Sequence, residues 1–286
     1  MYRSVVQFNL RSSPYVDLNC VSNEFEVDGV RVRCSDGAVT IEFEVVGESP
    51  EVVNELGRVR SELFAHAISL IQGRGFGTCN LVISPPSKIP QTTNEDGAIR
   101  LSYNVTERIS LIIKEEKSID EPRIKKTIEL MSKLWDAVQN PNTNERTKDL
   151  LRVVKWWVSG SLDEDPLDRF LKFFIAFELL ASLKGYKGKN KEKGKKGKNK
   201  GHEEESGSSW VEEFCKKYGL ACEFEGMSVN KIRNLIMHEP GEDRERAEEI
   251  ARKHADEFGR EMLKAIRRAL SEELGIGMDQ INNRQP

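Results

Sequence analysis

The chain has 286 residues but only four histidines. It contains no run of eighteen or more apolar residues, so no segment reads as a membrane-spanning helix, and the start MYRSVVQFNL lacks the apolar stretch of a secretory leader. A soluble, cytoplasmic protein with no membrane contact is expected. Cysteine is sparse: Cys20, Cys34, Cys79, Cys215 and Cys222 are odd in number and too widely spaced for a C-x-x-C metal clip or redox pair. Buried free thiols are expected, rather than a disulfide framework. H-E-x-x-H, P-loop and clustered Cys/His patterns are missing, so neither a metal nor a nucleotide cofactor is expected. GRGFG at 73–77 has the glycines of a phosphate loop. It follows a helical pattern and precedes a strand, however, the reverse of the order that aims amides at phosphate. It reads as a turn, with Arg74 available for backbone contact.

What is abundant is charge, unevenly placed. The net charge is −3, yet residues 184–201 (KGYKGKNKEKGKKGKNKG) hold nine lysines against one glutamate, so this stretch carries +8 and the rest of the chain −11. With Tyr186 as its only sizeable apolar group, the segment cannot bury enough surface to offset its ordering entropy and is expected to be disordered. It is a solvated linker or an electrostatic arm that concentrates a polyanion such as RNA, with Lys195 and Lys196 among its contact residues.

Hydrophobic periodicity divides the chain in two. Segments 4–10, 24–34, 38–46, 79–85 and 109–116 are rich in β-branched residues, with Asp28-Gly29 and Asp36-Gly37 as turn signals. One helix interrupts them, capped by Ser49 with Pro50 in its first turn. This predicts a β-rich mixed domain over 1–117. A doubly wound nucleotide sensor is disfavoured, because the strands do not alternate with helices. From 121 the period becomes 3.6. Helices are expected over about 122–139 and 144–158, then from Pro166 behind an Asp165 cap, from Ser209, from a Ser228 cap to His238, and over 243–274 with Gly275 as C-cap. The fold class is therefore α+β: a β-rich domain followed by an all-α bundle over 121–286, with the Lys/Gly-rich insert at 184–209.

The short stretch RNLIMHEPG (233–241) carries the chemistry. On a helical wheel Val229, Ile232, Leu235 and Ile236 gather on one side, while Asn230, Arg233, Asn234 and His238 fan across the other, with Met237 among them. Pro240 ends the helix near Glu239, so His238 lies in the last turn, where the negative end of the helix dipole favours a charged imidazole. A nearby guanidinium opposes that effect. A histidine so placed can act as general acid or base, and an arginine can hold a phosphate through paired N–H donors. Together they suit metal-free RNA cleavage: a base deprotonates the 2′-hydroxyl, its oxygen attacks phosphorus, an acid protonates the 5′-oxygen, and a cation stabilises the phosphorane. One chain supplies one such histidine, so two chains about a two-fold axis would complete the site.

On these residues the region 121–286 resembles a HEPN domain, in its Apea-like branch. RNLIMH matches the R-x4-6-H signature of that superfamily, including the polar residue after the arginine, and DRFLKFFIAFELLASL followed later by VNKIRNLIMHEPG is similar in layout. The resemblance implies a helical bundle that dimerises and a metal-independent endoribonuclease of a defence, toxin–antitoxin or stress system. It assigns Arg233 and His238 as the catalytic pair and Asn234 as the polar motif position, with RNA as substrate and an antitoxin or regulatory partner. The alternative is a HEPN module that binds RNA or protein without cleaving; a third is an antitoxin-like scaffold. Asn230 shares the polar face as a substrate-contact candidate. Glu178, on an otherwise apolar helix, either orients Arg233 or His238 or sits at a helix edge facing solvent or a lysine. His254, on the apolar stripe of the last helix, reads as a packed core histidine, and His66 likewise.

Overall fold

The computed structural model describes residues 1–12, 24–35, 38–89, 119–186 and 209–275. The chain is α+β and divides into two compact units, Met1–Ile68 with Gly77–Met131, and Ser69–Phe76 with Ser132–Pro286. The expected strand at 109–116, the Asp36-Gly37 turn and Lys195 and Lys196 lie outside the described residues.

In the first unit, β1 (Tyr2–Ser12), β2 (Glu24–Val27), β3 (Val30–Ser35), β4 (Ala38–Gly47) and β5 (Phe76–Ile83) form a sheet in the order β2-β3-β4-β1-β5. The short β6 (Ser87–Lys88) also pairs with β1. Alternation sets the faces. Val6, Phe8 and Leu10 are buried and lie opposite Phe43, Ile41 and Val39 of antiparallel β4. The β2–β3 turn uses Asp28 and Gly29 at φ +48° and +76°, both left-handed, as a tight two-residue hairpin requires. Helix α1 (Pro50–Gln72) begins where the Ser49 hydroxyl accepts from Val52 N–H at 3.3 Å, and Phe64 meets Phe8 edge-on at 5.9 Å.

The second unit is helical: the part of α2 (Glu121–Gln139) beyond Met131, then α3 (Asn144–Ser161), α4 (Pro166–Leu183), α5 (Ser209–Tyr218), α6 (Val229–His238) and α7 (Glu242–Leu274), with a small hairpin of β7 (Glu223–Phe224) and β8 (Met227–Ser228). Asp165 caps α4 by accepting from Leu167 N–H, and Gly275 closes α7 in the left-handed conformation. As the nearly all-round apolar pattern predicts, α4 is central. Phe170, Phe173, Phe174 and Phe177 are buried, and Phe177 reaches Phe214 of α5 and Phe258 of α7 at 5.2 and 6.0 Å. At the end of α1, in the part grouped with this unit, buried Arg267 donates from Nε to the Leu70 carbonyl at 2.9 Å and from Nη2 to that of Ile71 at 3.3 Å. These are the carbonyls a helix end leaves without partners, and burial lowers the pKa of the guanidinium that meets them.

Two details depart from expectation. Cys215 and Cys222 form a disulfide, and Cys34 is disulfide-bonded as well, where free thiols were expected; Cys79 is free. The reason is the turn after α5. Gly219 at φ +65° reverses the chain and brings the two Cα atoms to 6.2 Å, which the spacing in sequence does not reveal. The beginning of the lysine stretch is also packed. Lys184 pairs with Glu272 and Glu273 at 3.0 Å each, and Tyr186 meets Phe214 edge-on at 5.5 Å. Residues 187–208 lie outside the described set.

Candidate functional site

The site is the outer face of α6, and two local devices set that helix. At its start the Ser228 hydroxyl accepts from Lys231 N–H at 3.2 Å, and the Val229 N–H donates to the Cys222 carbonyl at 2.9 Å. At its end Glu239 turns to extended geometry (φ −108°, ψ 136°) ahead of Pro240. Val229, Ile232 and Ile236 are buried, which turns Arg233, Asn234 and His238 outward. Met237 is 54% exposed on the same side.

The arginine and histidine converge. Arg233 Nη1 donates to Asn234 Oδ1 at 3.1 Å and stands 3.3 Å from His238 Nε2. A guanidinium only donates, so in any hydrogen bond between the two Nε2 is the acceptor. Beneath them the ring of buried Phe174, from α4, lies 5.9 Å from the guanidinium carbon. That contact keeps the cation against an apolar wall. No carboxylate among the described residues pairs with Arg233, so its charge is uncompensated and can take an anion.

The other candidates fall in different places. Asn230 is half-buried one turn before Asn234 and makes no hydrogen bond to the pair. Glu178 stands one turn beyond Phe174 on α4, half-buried, and has no hydrogen-bond or ion-pair partner among the described residues. His254 is packed rather than poised. It stacks on Phe224 at 4.8 Å, with Nε2 3.2 Å from Glu225 and Nδ1 3.0 Å from Glu257. Arg74 stacks over Phe76 at 5.0 Å in the turn after α1. Sequence reasoning missed Phe174 as a wall of the site, because a phenylalanine in an apolar helix carries no mark separating it from ordinary core. It also missed the Cys222 carbonyl, for which no sequence signal exists.

Among the described residues no group of three or more His, Cys, Asp and Glu is placed to hold a metal ion, and no helix is long and apolar enough to cross a membrane. No protein-family model, curated protein or solved structure matches this chain.

Proposed function

We propose that the helical unit is a HEPN-type domain and that the protein is a cytoplasmic, metal-independent endoribonuclease, cleaving RNA by 2′-hydroxyl transesterification. The observation that carries this reading is the meeting of Arg233 and His238 on one exposed face with no carboxylate to neutralise the arginine. Arg233 takes the scissile phosphate through its paired donors and spreads charge off the phosphorane. An entering phosphate competes for Nη1 and frees the Nε2 lone pair of His238 to accept the 2′-hydroxyl proton. Asn234 holds Nη1 from the other side, so the guanidinium keeps its orientation. A homodimer brings the second His238 as the acid for the 5′-oxygen, and Asn230 and the lysine insert contribute RNA contacts. Activity of this type suits a defence or toxin-type system, with an antitoxin or regulatory partner to restrain it.

The second reading, a module that binds RNA or protein without cleaving, draws on one feature. Nδ1 of His238 has no partner among the described residues, so nothing there holds the ring for catalysis. The test is incubation of purified wild type and His238→Ala with mixed structured and single-stranded RNAs in EDTA, reading the fragment ends. Fragments ending in 2′,3′-cyclic phosphate from wild type alone support the nuclease. Retention of intact RNA by both proteins equally supports the binding module.

A further inference from the structure

The helix that carries the site begins on a disulfide. Cys215 is buried in the last turns of α5, and Cys222 is half-exposed on the segment that returns from it. That segment has few other ties. Leu220 N–H donates to the Cys215 carbonyl at 2.9 Å, Ala221 N–H reaches Glu261 at 3.3 Å, and Gly219 and Ala221 are exposed. From Cys222 the chain makes the β7–β8 hairpin and comes back. The Cys222 carbonyl accepts from the amide of Val229, the first residue of α6. The bonded residue is therefore hydrogen-bonded directly to the start of the helix bearing Arg233 and His238. Around it Phe214, Phe224 and Phe258 are all buried, with Phe177 packed against Phe214 and Phe258.

We propose that Cys215 and Cys222 are a reversible thiol–disulfide site that exchanges with low-molecular-weight disulfides of the glutathione class, and that the oxidised form pins the start of α6. Exchange begins at Cys222, the more exposed of the two residues. Its thiolate attacks the small disulfide, forms a mixed disulfide and releases one thiolate. The Cys215 thiolate then attacks Cys222 Sγ, closes the protein disulfide and releases the second. Two protein thiols and one small disulfide become one protein disulfide and two small thiols, with the two thiol protons ending on the released thiolates. Oxidation closes a short loop and removes freedom from the segment holding Val229. Reduction leaves the core standing and the helix start looser. The inference concerns the placement of α6 and stands whether or not the site cleaves RNA.

The test uses the full chain equilibrated in glutathione buffers from reducing to oxidising, then acid-quenched, alkylated and read cysteine by cysteine by peptide mass spectrometry, with hydrogen exchange on the same samples. The expected result is that the pair passes between dithiol and disulfide within the buffer range. Amides of residues 229–232 should then exchange faster in the reduced form by on the order of tenfold, with α4 and α7 unchanged. Cys215→Ser should trap a glutathionyl group on Cys222, whereas Cys222→Ser, leaving the buried thiol, should acquire one far more slowly. Three results overturn the proposal: a pair in one state across the range, equal exchange at 229–232 in both forms, or loss of protection throughout α4 and α7 on reduction, which marks a purely structural disulfide. Equal glutathionylation of the two single variants overturns the order of attack.

Discussion

Replacing Gly259 with alanine pits two effects against each other. Alanine is the better helix former by about 1 kcal/mol, so propensity alone makes Gly259→Ala stabilising in the interior of α7. Packing opposes this. A Cβ at 259 would lie 2.5 Å from Cε2 and 2.7 Å from Cζ of the buried Phe173 ring. The ring cannot retreat, because Gly160 of α3 faces its other edge so closely that a Cβ there would stand 2.7 Å from Cε1. Nor can α7 easily shift, since buried Trp157 donates from Nε1 to the Gly259 carbonyl at 2.9 Å. Overpacking of this kind costs about 1–3 kcal/mol, and with both exits closed the upper part of that range applies. After subtracting the propensity gain, Gly259→Ala should destabilise the helical unit by about 1–2 kcal/mol. All four tryptophans lie in that unit, so urea unfolding followed by tryptophan fluorescence reports on it selectively. The midpoint should fall by about 0.5–1 M. Phe173→Leu in the same chain should recover part of the loss, a coupling that two independent changes would not show. A Gly259→Ala variant as stable as wild type, or more so, refutes the packing argument.

Arg267→Met keeps much of the buried volume but strands the Leu70 and Ile71 carbonyls, and should cost about 2–3 kcal/mol in the same assay. A loss under about 0.5 kcal/mol would mean that those carbonyls find other partners. Acid should act through Asp163. Burial pushes its carboxyl up, but the Lys172 ammonium, the Asp165 N–H and the Arg169 guanidinium outweigh it, and its pKa falls below the ordinary 3.8. A carboxyl depressed in the folded state contributes fully above its unfolded value, and the contribution is lost as pH falls through the folded one. Wild type should therefore exceed Asp163→Asn in stability near neutrality, with the gap closing only below about pH 4; a constant gap down to about pH 2 contradicts this. At the site, Arg233→Lys keeps the charge but loses paired donation. Its affinity for a short RNA, measured by fluorescence anisotropy, should fall about tenfold, and unchanged affinity removes the phosphate-binding role.

Short-range features were legible in the residues. Ser49, Asp165 and Ser228 are hydrogen-bonding caps, and Gly275 takes the left-handed position, because a cap depends on residues within one turn of it. The period of 3.6 separated Ile232 and Ile236 from Arg233 and His238 on α6. Partners far along the chain were not legible. Nothing near Phe174 in sequence points to Arg233, nothing near Phe173 announces two glycines in other helices, and seven residues of spacing do not reveal a turn that joins Cys215 to Cys222. Sequence by itself determined the main helices, the α+β class and the polar face of α6 that holds Arg233 and His238, because local sterics and hydrophobic patterning act within a few residues. Tertiary structure alone decided that Phe174 backs the arginine, that Glu178 makes no bond to it and that the start of α6 is hydrogen-bonded to a disulfide-bonded cysteine. Those contacts depend on where the helices come to pack, and that is settled only when the whole core closes.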